Sequence, residues 1–174
     1  MKIIAFVGAS ESGKTRLVSR LIPELKARGL AVSVLKHCGH GFDFEGPGKD
    51  SSTLLDAGAD EVALAGRGKT AVLRPAADGT GIRDIIRREL GAADIVLVEG
   101  GKHDPSLRKI EVLRDGVSAG IATPREELEA IVSDRPRDAG VPVFSPDQVA
   151  ELAAWLSDEI VGKGNLPAGG GGRP

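Results

Sequence analysis

The chain has 174 residues, 24 of them glycine, and its 23 Lys and Arg against 25 Asp and Glu leave a net charge of −2. Its 41% hydrophobic content supports a packed core and excludes a disordered chain, while 3% aromatics and near-neutral charge exclude nucleic acid as the main partner. No apolar run approaches the ~18–20 residues of a membrane span, so no membrane association is expected, and a single cysteine excludes an internal disulfide.

Lys2–Val7 is a continuous apolar run that reads as a buried parallel strand, and it starts too close to Met1 to leave room for a signal peptide. With the lone cysteine, this gives a cytoplasmic protein as the expectation. Gly8-Ala9-Ser10-Glu11-Ser12-Gly13-Lys14-Thr15 follows at once and matches G-x-x-x-x-G-K-[ST]. In such a loop the backbone N–H groups wrap an anion, Gly8 and Gly13 let the main chain come close, and the next helix points its positive end at the phosphates. Ser10, Glu11 and Ser12 supply the rest of the cradle, Lys14 reaches the β- and γ-phosphates, Thr15 ligates Mg²⁺, and Arg16, next on the helix, is a further nucleotide-binding candidate. Leu17, Leu21 and Leu25 give residues 15–28 one apolar face ending near Gly29, and Pro23 inside it must kink the helix or face solvent.

Ala31–Leu35 is the second strand. Residues 38–49 hold four glycines and a proline, a long loop that begins at Lys36-His37-Cys38-Gly39-His40-Gly41-Phe42-Asp43. His37, Cys38 and His40 in one short stretch fit a transition-metal site; the other reading is a polar switch loop over the phosphates, with His37 at the nucleotide. Asp50 either caps the short helix expected over Ser51–Ala57 or reaches the Mg²⁺ shell. Val62–Ala65 and Ala71–Leu73 read as a hairpin across Gly66–Lys69, and Thr80 as the cap of a helix carrying Ile82, Ile85, Ile86 and Leu90.

Asp94-Ile-Val-Leu-Val-Glu99 is the clearest central strand. Its two acids stand roughly 16 Å apart and cannot share a site. Ligands sit beyond the carboxyl ends of parallel strands, so Glu99, followed by Gly100-Gly101, is the metal-shell candidate beside Thr15, and Asp94 reads as a solvated strand start. Ile110–Leu113, Ala130–Val132 and Val141–Phe144 are further strands. Thr123-Pro124 and Ser145-Pro146 both read as helix starts, the second opening a terminal helix through Val149, Leu152, Leu156 and Ile160. Asp134, after a late strand, either meets a guanine N1/N2 edge or is a solvated loop residue, and no N-K-x-D motif is present. The alternation predicts an α/β, P-loop NTPase-like fold, a mainly parallel twisted sheet with helices on both faces. One nucleotide-binding domain is expected over 1–161, with a disordered glycine-rich tail over 162–174.

Four segments together, GASESGKT with its strand, LKHCGHGFDFEGPGKDS, DIVLVEGGK and RKIEVLR, resemble the MobB family of molybdopterin-guanine dinucleotide biosynthesis adapter proteins. The P-loop is shared by many families; the KH…H…D…PGKDS and VEG-x-K…KIEV patterns are far more specific. The resemblance implies a GTP-binding homodimer with at most slow hydrolysis. Its implied partner is the guanylyltransferase that joins GMP to molybdopterin, with molybdopterin itself as a further possible ligand. It places Lys14 and Thr15 on phosphate and Mg²⁺, Glu99 and Gly100 at the strand end, and the His37–Asp50 loop toward the active region. The family more often has Thr-His where Cys38-Gly39 stand, and an aromatic at Gly101. Two other functions remain open from the residues: a nickel- or zinc-delivery P-loop GTPase, and a small-molecule P-loop kinase. Arg87-Arg88, on a predicted helix, and Arg135 and Arg137, flanking Pro136, do not make an Arg-rich lid.

Overall fold

The computed structural model describes residues 1–39, 41, 50–77 and 79–161. The chain forms two compact units, Met1–His37 with everything from Ile85 onward, and Cys38–Asp84.

The first unit is built on a six-stranded sheet of order β2-β5-β1-β6-β7-β8. Its strands are β1 (Lys2–Val7), β2 (Val32–Lys36), β5 (Ile95–Glu99), β6 (Arg108–Leu113), β7 (Leu128–Ser133) and β8 (Val143–Phe144). Every pairing in it is parallel. The register sets Phe6 beside Glu99 and Ile110, and Lys36 beside Glu99, so the carboxyl ends of the central strands share one edge. Ile4, Phe6, Ile95, Leu97, Ile110, Val112, Ala130 and Val132 bury one face. They pack against Leu17, Leu21 and Leu25 of α1 (Lys14–Ala27) and Val149 and Leu152 of α4 (Val149–Trp155). Residues of the opposite parity, Ala5, Val96, Val98 and Ile131, are fully buried as well, as in a parallel sheet covered on both faces. The predicted α/β sheet with helices is therefore the observed architecture.

Pro23 lies inside α1 with its ring exposed, so the missing N–H is tolerated on the wet side. Arg20 donates to the Pro146 carbonyl (2.9 Å) and Arg28 to the Ala150 carbonyl (3.2 Å), tying α1 to the terminal helix. After Trp155 the chain continues as a π-helical turn, Leu156–Val161.

Four local readings need correction. Thr123-Pro124 opens a single turn, closed by Glu127 N–H on the Pro124 carbonyl (3.0 Å), and the chain goes straight into β7. Pairing takes over there, because Lys109 N–H of β6 donates to the Glu127 carbonyl (2.7 Å). Thr80 does not cap the following helix; its hydroxyl donates back to the Ala77 carbonyl (2.7 Å). Asp94 is half-buried and its carboxylate accepts the Ala31 N–H (2.8 Å), joining the starts of two strands. At Ser145-Pro146 the helix itself begins three residues later than the dipeptide, and the Ser145 N–H donates to Gln148 Oε1 (2.8 Å).

The second unit holds α2 (Asp50–Asp56) and the antiparallel hairpin β3 (Val62–Gly66) and β4 (Lys69–Leu73). Gly58, at φ 103°, closes α2 in the left-handed conformation that glycine takes at a helix end. α3 (Ile82–Glu89) returns the chain to the first unit. His40, residues 42–49 and the tail from 162 lie outside the described residues.

Candidate functional site

Between β1 and α1 the backbone makes the turn that the glycines permit. Gly8 has φ 141°, and a Cβ built there would stand 2.3 Å from the Val112 carbonyl oxygen of β6. Gly13, at φ 96°, is the residue before α1 and carries no side-chain cap, leaving the first helical N–H groups free for an anion. Glu11 at φ 61° is the only non-glycine with positive φ among the described residues. Right- and left-handed residues in succession turn consecutive N–H groups toward one point.

The Lys14 ammonium folds over this loop, donating to the Gly8 carbonyl (3.2 Å), the Ala9 carbonyl (2.5 Å) and the Ser12 hydroxyl (3.5 Å). Burial lowers its pKa from the usual 10.5; the Glu99 carboxylate works against that, and Lys36 works with it. The Thr15 hydroxyl donates to Glu99 Oε1 (2.7 Å), and Lys36 Nζ stands 3.7 Å from the same oxygen. Glu99 is only 13% exposed at its side chain, held at the end of β5 by sheet bonds on both flanks. Gly100 N–H donates to the Phe6 carbonyl (3.0 Å) and His37 N–H to the Glu99 carbonyl (2.9 Å). A Cβ at Gly100, where φ is 101°, would lie 2.9 Å from the His37 carbonyl oxygen, so that position too is closed to side chains.

A cavity of about 690 Å³ is lined by Ser10, Glu11, Gly13, Lys14, Thr15, Arg16, Glu99 and Arg114. Beside it lies a second, of about 320 Å³, between α1 and the ends of β6 and β7, with Ser12, Gly13 and Arg16 on one side and Asp134 on the other. The Asp134 carboxylate accepts the Asp115 N–H through both oxygens (3.0 and 2.9 Å). The structure thus brings together Gly8, Ser10, Glu11, Ser12, Gly13, Lys14, Thr15, Arg16, Glu99 and Gly100, with His37 one strand away and Asp134 across the smaller cavity. Asp50 is in the first turn of α2, in the other unit. Among the described residues no three His, Cys, Asp or Glu side chains cluster as a metal site, and His40 is outside them.

Two residues escaped the sequence reading. Lys36 ends β2 beside Glu99, and Arg114 follows β6 and donates to the Glu11 carbonyl (3.3 Å). The rule that singled out Glu99, a charged residue at the carboxyl end of a strand neighbouring β1, applies equally to Arg114.

A parallel sheet whose first strand runs through a glycine-rich anion loop into a helix, with a carboxylate on the next strand meeting the helix's first hydroxyl, defines a P-loop NTPase-like protein. The model of the family described as molybdopterin guanine dinucleotide synthesis protein B, MobB, matches residues 3–134. The chain belongs to that family. It is 34% identical over 163 residues to the molybdopterin-guanine dinucleotide biosynthesis adapter protein of Escherichia coli (strain K12), covering 88% of this chain and 90% of the relative. To the adapter protein of Haemophilus influenzae it is 29% identical, covering 90% and 88%. A crystal structure of molybdopterin-guanine biosynthesis protein B superposes with a TM-score of 0.68 at 29% identity, covering 91% of this chain and 98% of that one. The crystal structure of Bacillus subtilis MobB gives 0.69 at 25% identity, covering 95% and 100%.

Proposed function

We propose that this chain binds GTP with Mg²⁺ at the P-loop and acts as an adapter in making the guanine dinucleotide form of molybdopterin. The observation that carries the reading is the Thr15 hydroxyl set 2.7 Å from the Glu99 carboxylate beneath the phosphate loop. A hydroxyl and one carboxylate are the hard oxygen donors that Mg²⁺ takes when phosphates and water complete its shell, so the residues fit the ion. Bound there, Mg²⁺ would neutralise phosphate charge. Lys14 would leave the loop carbonyls for the phosphates, and the loop N–H groups would orient them. Asp134, whose two oxygens both accept in this structure, suits the N1–H and N2–H donors of guanine and not the bare N1 of adenine. His37 and Asp50 stay candidates for nucleotide or partner contact.

The names of the relatives support the pathway, and the family resemblance supports a molybdopterin guanylyltransferase as the partner, approached by a homodimer of this chain in the cytoplasm. Molybdopterin itself is a further candidate ligand. Among the described residues no helix is long and apolar enough to cross a membrane. The test is competitive equilibrium binding of GTP and ATP with and without Mg²⁺, followed by capture of purified guanylyltransferase on the immobilised chain. GTP preference, Mg²⁺ dependence and capture are expected; tighter ATP binding sinks the reading.

A further inference from the structure

Arg114 is anchored at its main chain. Its N–H donates to Ser118 Oγ (3.0 Å), and its carbonyl accepts the N–H groups of Val117 and Ser118 (3.1 and 2.8 Å). From that turn the guanidinium crosses to the P-loop and donates to the Glu11 carbonyl (3.3 Å). Glu11 is where the loop needs support. Its φ of 61° is disfavoured for a residue with a side chain, yet this left-handed step helps aim the loop N–H groups inward. The loop also rests on β6 at its start, where Gly8 leaves no room before the Val112 carbonyl. Arg114 lines both cavities that flank the loop.

We infer that Arg114 is a positioning residue that holds the strained Glu11 peptide, and through it the anion-binding form of the P-loop. Phosphate affinity then depends on a side chain that acts through the loop and not by touching the phosphate. The inference rests on the nucleotide reading of the site above. It makes a specific demand: glycine adopts positive φ at no steric cost, so a glycine at position 11 removes the need for the support.

The experiment compares the full chain with Arg114→Ala, Arg114→Lys, Glu11→Gly and the Glu11→Gly/Arg114→Ala double variant. Affinities for GTP and for inorganic tripolyphosphate are read by calorimetry, with a thermal unfolding midpoint for each protein. Arg114→Ala is expected to weaken both ligands roughly tenfold, the scale of one strained backbone residue, with the midpoint unchanged. Arg114→Lys recovers part of the loss. On the Glu11→Gly background the alanine substitution is expected to cost no more than about twofold. Equal losses on both backgrounds overturn the inference in favour of a direct charge contact. A shared fall in midpoint for both Arg114 variants overturns it in favour of a general structural role. Binding abolished by Lys14→Ala but untouched by Arg114→Ala refutes the support alone, whereas a wild-type chain that binds neither ligand removes the nucleotide reading and this inference together.

Discussion

Replacing Gly8 by alanine tests the close approach of the P-loop to β6. The new Cβ would meet the Val112 carbonyl oxygen at 2.3 Å and Ser12 Oγ at 3.0 Å. The hydroxyl can rotate away, but the carbonyl belongs to a strand paired on both sides. The backbone conformation at φ 141° adds about 1–3 kcal/mol for any side chain. Forcing an extra carbon into a filled space adds about 1–3 kcal/mol more. A destabilisation of about 4 kcal/mol is expected, which for a domain of this size lowers the thermal midpoint by roughly 8–16 °C. Gly13→Ala is the control, because its Cβ meets nothing within 4 Å and only the φ of 96° is strained. That variant should cost about 1–2 kcal/mol. Urea unfolding followed by circular dichroism measures both, with unchanged m-values securing the comparison. If Gly13→Ala costs as much as Gly8→Ala, the contact with Val112 is not what fixes the loop and the reasoning fails.

Glu99→Gln should leave the fold intact and weaken GTP binding about tenfold in Mg²⁺ while changing it little in EDTA, since one charged ligand is lost; titration under both conditions checks this. The pKa of Lys14 is depressed by burial below 10.5 in the folded chain, so between that lowered value and 10.5 the unfolded chain binds more protons. Its contribution to stability therefore rises with pH across that window, and Lys14→Met should flatten that part of the curve in thermal unfolding from neutral pH upward. Glu111, 2% exposed, accepts the Ala122 N–H (2.9 Å) and the Thr123 N–H (2.9 Å). Glu111→Ala leaves these donors without their partner and should cost about 2–4 kcal/mol by urea unfolding, whereas a cost under about 0.5 kcal/mol would show that the turn re-pairs by itself.

The sequence carried the site well where chemistry is written locally. Gly8 to Thr15 is a contiguous motif, and Glu99 could be chosen over Asp94 by strand polarity alone. Thr123-Pro124 misled because a cap followed by proline reads identically at a helix start and at a tight turn; what decides is the bond from Lys109 to Glu127, which no local window contains. Asp94 looked solvated because its partner, the Ala31 N–H, lies 63 residues earlier. Arg114 and Lys36 were missed for the same reason. A charged residue after a strand is ordinary until the sheet order sets β6 and β2 on the two sides of β1 and β5.

That sheet order also has a consequence for how the molecule comes into being. β1 pairs only with β5 and β6, and β2 only with β5, so the first two strands have no partner in each other. During synthesis the phosphate loop emerges before β5 and β6, its partners in the site, and is completed late. At about 5–20 residues per second, the separation of 63 positions between Ala31 and Asp94 imposes a wait of roughly 3–13 s. Through that interval KIIAFV and VSVLK are unpaired apolar strands, the kind of segment that chaperones bind and that aggregates when they do not.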